Sequence, residues 1–370
     1  MDTYVTLTIP EHEYNAHVNQ LEKIATEYIV PTLTPTDNPT QLAYVDVKDL
    51  GAESSENIEM KNNSVINEFI LLGLTSSWEL EIFFFVIFFL AYLSILAGNC
   101  LIILMVTFDS HFRSTPMYFL LANLSFLDIF FATVTVPKMI IDFLRERKTI
   151  SFGGCMAQIF LAHLFGGSEM ALLIVMAFDR YVAICKPLQY MTIMNHRILV
   201  GSVLFSWTVG FVHTMSQMAF MVSLPFCGPN VIDDVFCDLP LVLKLACTDT
   251  SVQELLVVAF SGLLSLICFI ILLVSYIVVL VTVWHRSHSG LSKALSTLSA
   301  HITVVILFFG SLILIYAWPV SSYSLDKFLS VFSSVITPLL NPIIYSLRNQ
   351  EMKVAMIRLR SRHICSKPKF

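Results

Sequence analysis

Three groups of polar residues interrupt a sequence that is otherwise apolar. Asp179-Arg180-Tyr181 closes the long apolar stretch of residues 153–188, just ahead of the helix-ending pair Lys186-Pro187. At a helix end, Asp179 can hold Arg180 and release it when helices move, which is switch chemistry rather than catalysis. A second group is Asp128, Glu169 and Asn341, each deep inside a separate apolar run. Two carboxylates on different helices within a membrane repel each other unless one binds a proton or both share a cation. The third group is Ala162, His163, Gly166, Gly167 and Met170, spaced so that they share one side of a helix. Small residues beside a polar one make a shallow, partly apolar cavity, to which Phe260, Phe309, Ile313 and Tyr316 add apolar wall and one hydroxyl. There is no Gly-rich phosphate loop, no His-Glu-x-x-His and no serine elbow, so no enzyme reading is supported.

The elements that must position these residues are membrane helices. Hydrophobic residues make up 56% of the chain and charged ones only 13%, against about 25% charged in soluble domains. The mean hydropathy is +0.75. Seven apolar runs, each near the ~20 residues that a spanning helix needs, cover about Ile82–Val106, Met117–Ile141, Cys155–Phe178, Ile198–Phe220, Leu255–Trp284, Leu295–Ala317 and Phe328–Leu347. The expected fold is therefore an all-α, seven-transmembrane helix bundle. Within it the third span is an inside helix, because His163 and Glu169 at its centre are costly unless they face a partner or a water-filled cavity.

The net charge of −5 is unevenly distributed: residues 1–59 carry eleven acids against Lys23 and Lys48, a net −9, and the rest of the chain is positive. Residues 1–59 read as a disordered acidic extension. Residues 60–81 form an extracellular N-terminus, 82–347 the seven-span domain and 348–370 a cytoplasmic tail. Most short-loop cations, among them Arg113, Arg180, Lys186, Arg197, Arg286 and Lys293, fall on one side with the basic tail, which makes that side cytoplasmic. An odd number of spans then puts the N-terminus outside, where the sequon at Asn62 can be glycosylated. In the tail, Met352, Ala355, Met356 and Leu359 share a face, the pattern of a short amphipathic helix on the inner leaflet.

Cys155, Cys227, Cys237 and Cys247 all fall on the outer side, an even set that implies two bridges. Four thiols allow three pairings, and spacing alone does not choose among them.

Several motifs occur in order, one per expected helix. They are Gly98-Asn99, Pro116-Met117-Tyr118-Phe119, Leu124-Ser125-Phe126-Leu127-Asp128, Met176-Ala177-Phe178-Asp179-Arg180-Tyr181-Val182-Ala183-Ile184-Cys185, Ser275-Tyr276, Lys293-Ala294-Leu295-Ser296-Thr297 and Pro338-Leu339-Leu340-Asn341-Pro342-Ile343-Ile344-Tyr345. From Met60 to about Ile357 the chain resembles the vertebrate odorant receptors of the rhodopsin-like class, nearest their family-4 subgroup. The resemblance implies bridges Cys155–Cys237 and Cys227–Cys247. It implies an activation switch of Asp179, Arg180, Tyr181, Tyr276, Asn341, Pro342 and Tyr345, in which the two tyrosines meet Arg180 in the active state. It also implies a sodium ion as allosteric ligand at Asp128, Glu169 and Asn341; the residue-level alternative is a protonated Glu169 bonded to a neighbour.

The implied function is detection of a small, largely apolar odorant and activation of a heterotrimeric G protein of the olfactory stimulatory type, raising cyclic AMP. The implied setting is the plasma membrane of olfactory cilia, with the bilayer as a further partner and no nucleic acid. Ala162 stands where amine receptors carry an aspartate, which argues against a monoamine ligand. Phe178, Leu298 and Ser311 depart from the family pattern. The alternatives are a rhodopsin-like receptor for another small molecule or a peptide, and a proton-coupled transporter built on His163 and Glu169, which would need paired half-repeats that the sequence lacks.

Overall fold

The computed structural model describes residues 67 to 348, apart from Ser76, 222–223, 227–229, Ser287 and 317–322, together with Met352 and Val354. The acidic extension at 1–59, the sequon at Asn62, Cys227 and the expected tail helix lie outside the described residues, save for those last two positions.

Among the described residues, seven long helices form the bundle: α1 (Trp78–Phe108), α2 (Pro116–Asp142), α3 (Phe152–Cys185), α4 (His196–Met221), α5 (Ser251–Val257, a π-helical turn Val258–Leu263, then Leu264–Arg286), α6 (His288–Tyr316) and α7 (Tyr323–Val331, a π-helical turn Phe332–Ile336, then Thr337–Arg348). Six satisfy the length and composition of a membrane span outright, and α6 contributes a shorter apolar stretch, His301–Tyr316. Their boundaries follow local chemistry. Pro116 opens α2 at a position where a missing N–H costs nothing. Ser151 caps α3 by accepting from the Gly154 amide, and Pro187 follows its end. Asp109 ends α1 and caps the short helix Ser110–Ser114 by accepting from the His111 amide.

Burial ranks the helices as the polar residues require. In the most apolar window of α3, 61% of residues are buried, against 11% for α1, so α3 is the inside helix and α1 turns most of its surface toward lipid. The α3–α4 contact is close because both helices carry glycine there. A methyl group on Gly210 would overlap the Ser168 hydroxyl and the Leu164 carbonyl oxygen, and one on Gly167 would come within 3.0 Å of Gly210 Cα.

Proline in α7 illustrates how a local defect is repaired by a neighbouring helix. Pro342 has no N–H to give to the carbonyl four residues back, that of Pro338. Asn99 of α1 donates to that carbonyl at 3.2 Å, and Gly98 beside it leaves room for the Pro342 ring. The helix runs on through Pro342 to Arg348.

At the disulfide end the connections fold into a small sheet that hydropathy does not reveal. β1 (Glu68–Leu71) lies between β2 (Thr149–Ser151) and β3 (Val231–Ile232), antiparallel to β2 and parallel to β3. Lys148 pairs with Glu81, Lys327 with Asp233, and Cys155 is bonded to Cys237, 82 positions away. Gln158 adds a clamp, donating to the Val134 carbonyl at 3.0 Å and accepting from the Cys237 amide at 2.9 Å.

Candidate functional site

A cavity of about 80 Å³ lies among α2, α3, α4, α5, α6 and α7 beneath this cover, well above the ~10–15 Å³ that one water needs. Five α3 residues expected at a cavity, Ala162, His163, Gly166, Gly167 and Met170, border it, as do Phe260 and Tyr316. The two glycines divide their work. Gly167 sits against Gly210, whereas a Cβ on Gly166 would meet nothing within 4 Å.

Phe309 and Ile313 do not border the cavity, which corrects that expectation. Phe309 is fully buried, with its ring near those of Phe269 and Phe308, and Ile313 packs against the same core. The α6 residues that face the cavity are Phe308, Ser311, Leu312 and Ile315 with Tyr316. Each step along a helix turns about 100°, so a one-residue error moves a side chain off the face.

The polar lining forms a network. His163 Nδ1 lies 3.0 Å from the Ile159 carbonyl, and its ring stacks on that of His213 with centroids 5.8 Å apart. His213 Nε2 is 3.2 Å from Ser261 Oγ, which also accepts from Gln217 Nε2 at 3.1 Å. Tyr316 donates to Asp238 Oδ1 at 3.0 Å, tying α6 to the loop beyond Cys237. Burial lifts the Asp238 carboxyl to about 6, although bonds from the Leu239 amide and Tyr316 pull it down. Burial likewise lifts Asp234, which accepts from Ser330 of α7 at 2.9 Å, to about 7. His213, Ser261 and Asp238 were not among the expected ligand residues. The available signal was polarity inside or next to an apolar run.

At the opposite end of α3, Arg180 Nε and Nη2 both donate to Asp179 Oδ2, at 3.1 and 2.5 Å. Tyr190, in the short helix Tyr190–Ile193 after α3, donates to Asp179 Oδ1 at 2.8 Å and was not expected from sequence. Burial first, then the Asp179 charge, pushes the Tyr190 hydroxyl pKa upward. Tyr181 is half-buried against the core. Tyr276 of α5 is bonded to His301 Nδ1 of α6 at 2.8 Å, and the buried Tyr345 hydroxyl has no hydrogen-bond partner among the described residues.

Between the cavity and the arginine, Asn341 Nδ2 donates to both oxygens of Asp128 at 3.0 Å. Asp128 and Glu169 lie close enough for their charges to interact. Glu169 Oε1 and Asn341 Oδ1 are buried without hydrogen-bond partners among the described residues. Carboxylate and amide oxygens left open in this way are donors that a hard cation takes, and they suit equally a protonated Glu169 bonded to Asn341.

Of the expected disulfides, Cys155–Cys237 is formed. Cys247 is also disulfide-bonded, and Cys227 is among the residues not described.

Comparison with known proteins gives a consistent result. A family model described as "Olfactory receptor" matches residues 88–363. The Homo sapiens olfactory receptor 4K15 is 63% identical over 303 residues, covering 82% of this chain and 93% of its own length. Homo sapiens olfactory receptor 4K13 is 63% identical over 299 residues, or 81% of this chain and 98% of the relative. Homo sapiens olfactory receptor 4L1 is 59% identical over 313 residues, or 85% of this chain and 100% of the relative.

Proposed function

The chain belongs to the olfactory receptor family, whose members are G-protein-coupled receptors and not enzymes, and from that premise we propose that it binds a small, largely apolar odorant in the cavity beside α3 and activates a stimulatory G protein of the olfactory type. Cyclic AMP then rises. The receptor sits in the ciliary plasma membrane with its N-terminus outside.

The observation that carries this reading is the arrangement along α3. One continuous helix lines the cavity through His163 and Gly166, bears Glu169 beside Asp128, and carries Arg180 near its far end. An odorant shifts the receptor only by binding one state better than another. Contacts made by α3, α5 and α6 around the ligand bias how those helices pack, and the Asp179–Arg180 pair is the element at the cytoplasmic end that the bias acts on. On release, Arg180 turns toward Tyr276 and Tyr345. Asp128, Glu169 and Asn341 would hold a sodium ion, which when bound would neutralise charge between the two carboxylates. A cavity this small, beneath a sheet and a bridged loop, favours a small molecule over a peptide.

The test is a cyclic-AMP readout in transfected cells against a broad odorant panel, run on the full chain and on a form starting at Met60. Concentration-dependent responses shared by both forms are expected. Silence of a surface-delivered receptor across the panel contradicts the reading.

A further inference from the structure

We propose that the odorant selected by this cavity carries a hydroxyl group, as an alcohol or phenol on a small apolar body, and that the hydroxyl is held at His163 Nε2. The proposal rests on the reading of the cavity as the odorant site and adds the chemical class of its ligand.

His163 supplies the first half of the argument. Its Nδ1 lies 3.0 Å from the Ile159 carbonyl oxygen, which can only accept, so Nδ1 carries the proton. No carboxylate is paired with the ring among the described residues, and a buried cation without a counter-charge is costly, so the imidazole is neutral. Nε2, on the far side of the ring, is then a bare lone pair. It is buried without a partner in a residue only 7% exposed that borders the cavity.

The second half comes from the remaining polar groups. Hydroxyl protons along the wall are already committed: Ser265 to the Ser261 carbonyl, Ser311 to that of Phe308, Ser333 to that of Ser330, and Tyr316 to Asp238. No lysine or arginine borders the cavity among the described residues. The remaining polar pair on the wall is His213 with Ser261. That pair carries one further proton, and the backbone carbonyls of Phe260 and His163 against the His213 ring are acceptors for it.

Among the described residues of this wall the hydroxyl protons are therefore committed, and His163 Nε2 is an acceptor without a donor. A ligand hydroxyl supplies the proton that His163 Nε2 lacks. A ketone, aldehyde, ester or ether only accepts, and leaves His163 Nε2 buried and unpaired, which is the expensive outcome.

The experiment compares odorants matched in skeleton: straight-chain primary alcohols, their methyl ethers and the corresponding aldehydes, with phenols against their methyl ethers. Cells expressing the full chain are read by cyclic AMP, with surface labelling alongside. The expected result is half-maximal concentrations about tenfold or more lower for hydroxyl compounds than for their partners. In His163→Phe, which keeps a flat ring but removes the lone pair, that preference disappears. Ethers or aldehydes that match or exceed the alcohols overturn the hydroxyl assignment and leave the odorant reading intact. So does an undiminished preference in surface-delivered His163→Phe. The wild-type series decides the matter by itself if the variant does not reach the surface. Silence across both this series and the broad panel removes the odorant reading, and the inference with it.

Discussion

Tyr190 donates its hydroxyl proton to Oδ1 of Asp179 at 2.8 Å, on the carboxylate oxygen that Arg180 leaves open. The loop after α3 thus holds the acid that holds the arginine. A hydrogen bond to a charged partner contributes about 1.5–3 kcal/mol. If it is made only while Asp179 grips Arg180, Tyr190→Phe raises ligand-independent cyclic AMP by about tenfold or more, roughly ten for each ~1.4 kcal/mol lost. Basal signalling equal to wild type at matched surface level would place the bond outside the switch.

Asn99 is expected to matter for stability through α7. Asn99→Ala strips the Pro338 carbonyl of the donor that Pro342 cannot provide, and a buried acceptor left unpaired costs about 1–3 kcal/mol. Thermal unfolding of purified receptor, followed by fluorescence in detergent, should show a lower midpoint than wild type. An unchanged midpoint would mean that water or backbone adjustment satisfies that carbonyl.

Asp234 and Asp238 give the fold a pH dependence with a definite sign. Their folded-state values, about 7 and about 6, lie above the ~3.9 of an unfolded aspartate. The folded state therefore binds more protons between pH ~4 and about 7. The stability these two groups contribute is full below that window and lost as pH rises through it. Purified receptor should unfold at higher temperature at acidic than at neutral pH, and Asp234→Asn with Asp238→Asn should shrink the difference. A difference of the same size in the double variant would assign it to other groups.

Cys237→Ser removes the bridge between α3 and the loop over the cavity, and with it the anchor for the Gln158 contact to the Cys237 amide. Loss of a native disulfide typically costs about 2–5 kcal/mol. Surface delivery, counted by flow cytometry on an epitope-tagged chain, should fall sharply. Wild-type surface levels would show the bridge dispensable for maturation.

Much of this architecture is legible in the sequence because lipid imposes simple demands. Apolar runs of spanning length mark the helices, and a histidine and a glutamate inside the third run mark it as the inside helix. The α3 face from Ala162 to Met170 can be read because small and polar residues stand out against aliphatic ones. The rotation of α6 is less legible: Phe308, Phe309, Leu312 and Ile313 are all apolar, so nothing in their chemistry separates the cavity-facing pair from the core-facing pair. The sheet escapes notice for another reason. Its strands are four, three and two residues long, too short for alternation to register, and their partners come from distant connections. Tyr190 is a single loop tyrosine whose role depends wholly on where the loop folds.

The central claim, that this cavity receives the odorant and passes its occupancy along α3, is tested most directly at Gly166. A side chain there has open space to enter, since a Cβ would meet no atom within 4 Å, so Gly166→Leu should fold, reach the surface and fill the room the ligand needs. Cyclic-AMP dose–response curves for an activating odorant should shift by at least ~10-fold to higher concentration or vanish, as loss of ~1.4 kcal/mol or more of binding requires. A Gly166→Leu curve superimposable on wild type, at equal surface level, would contradict the account.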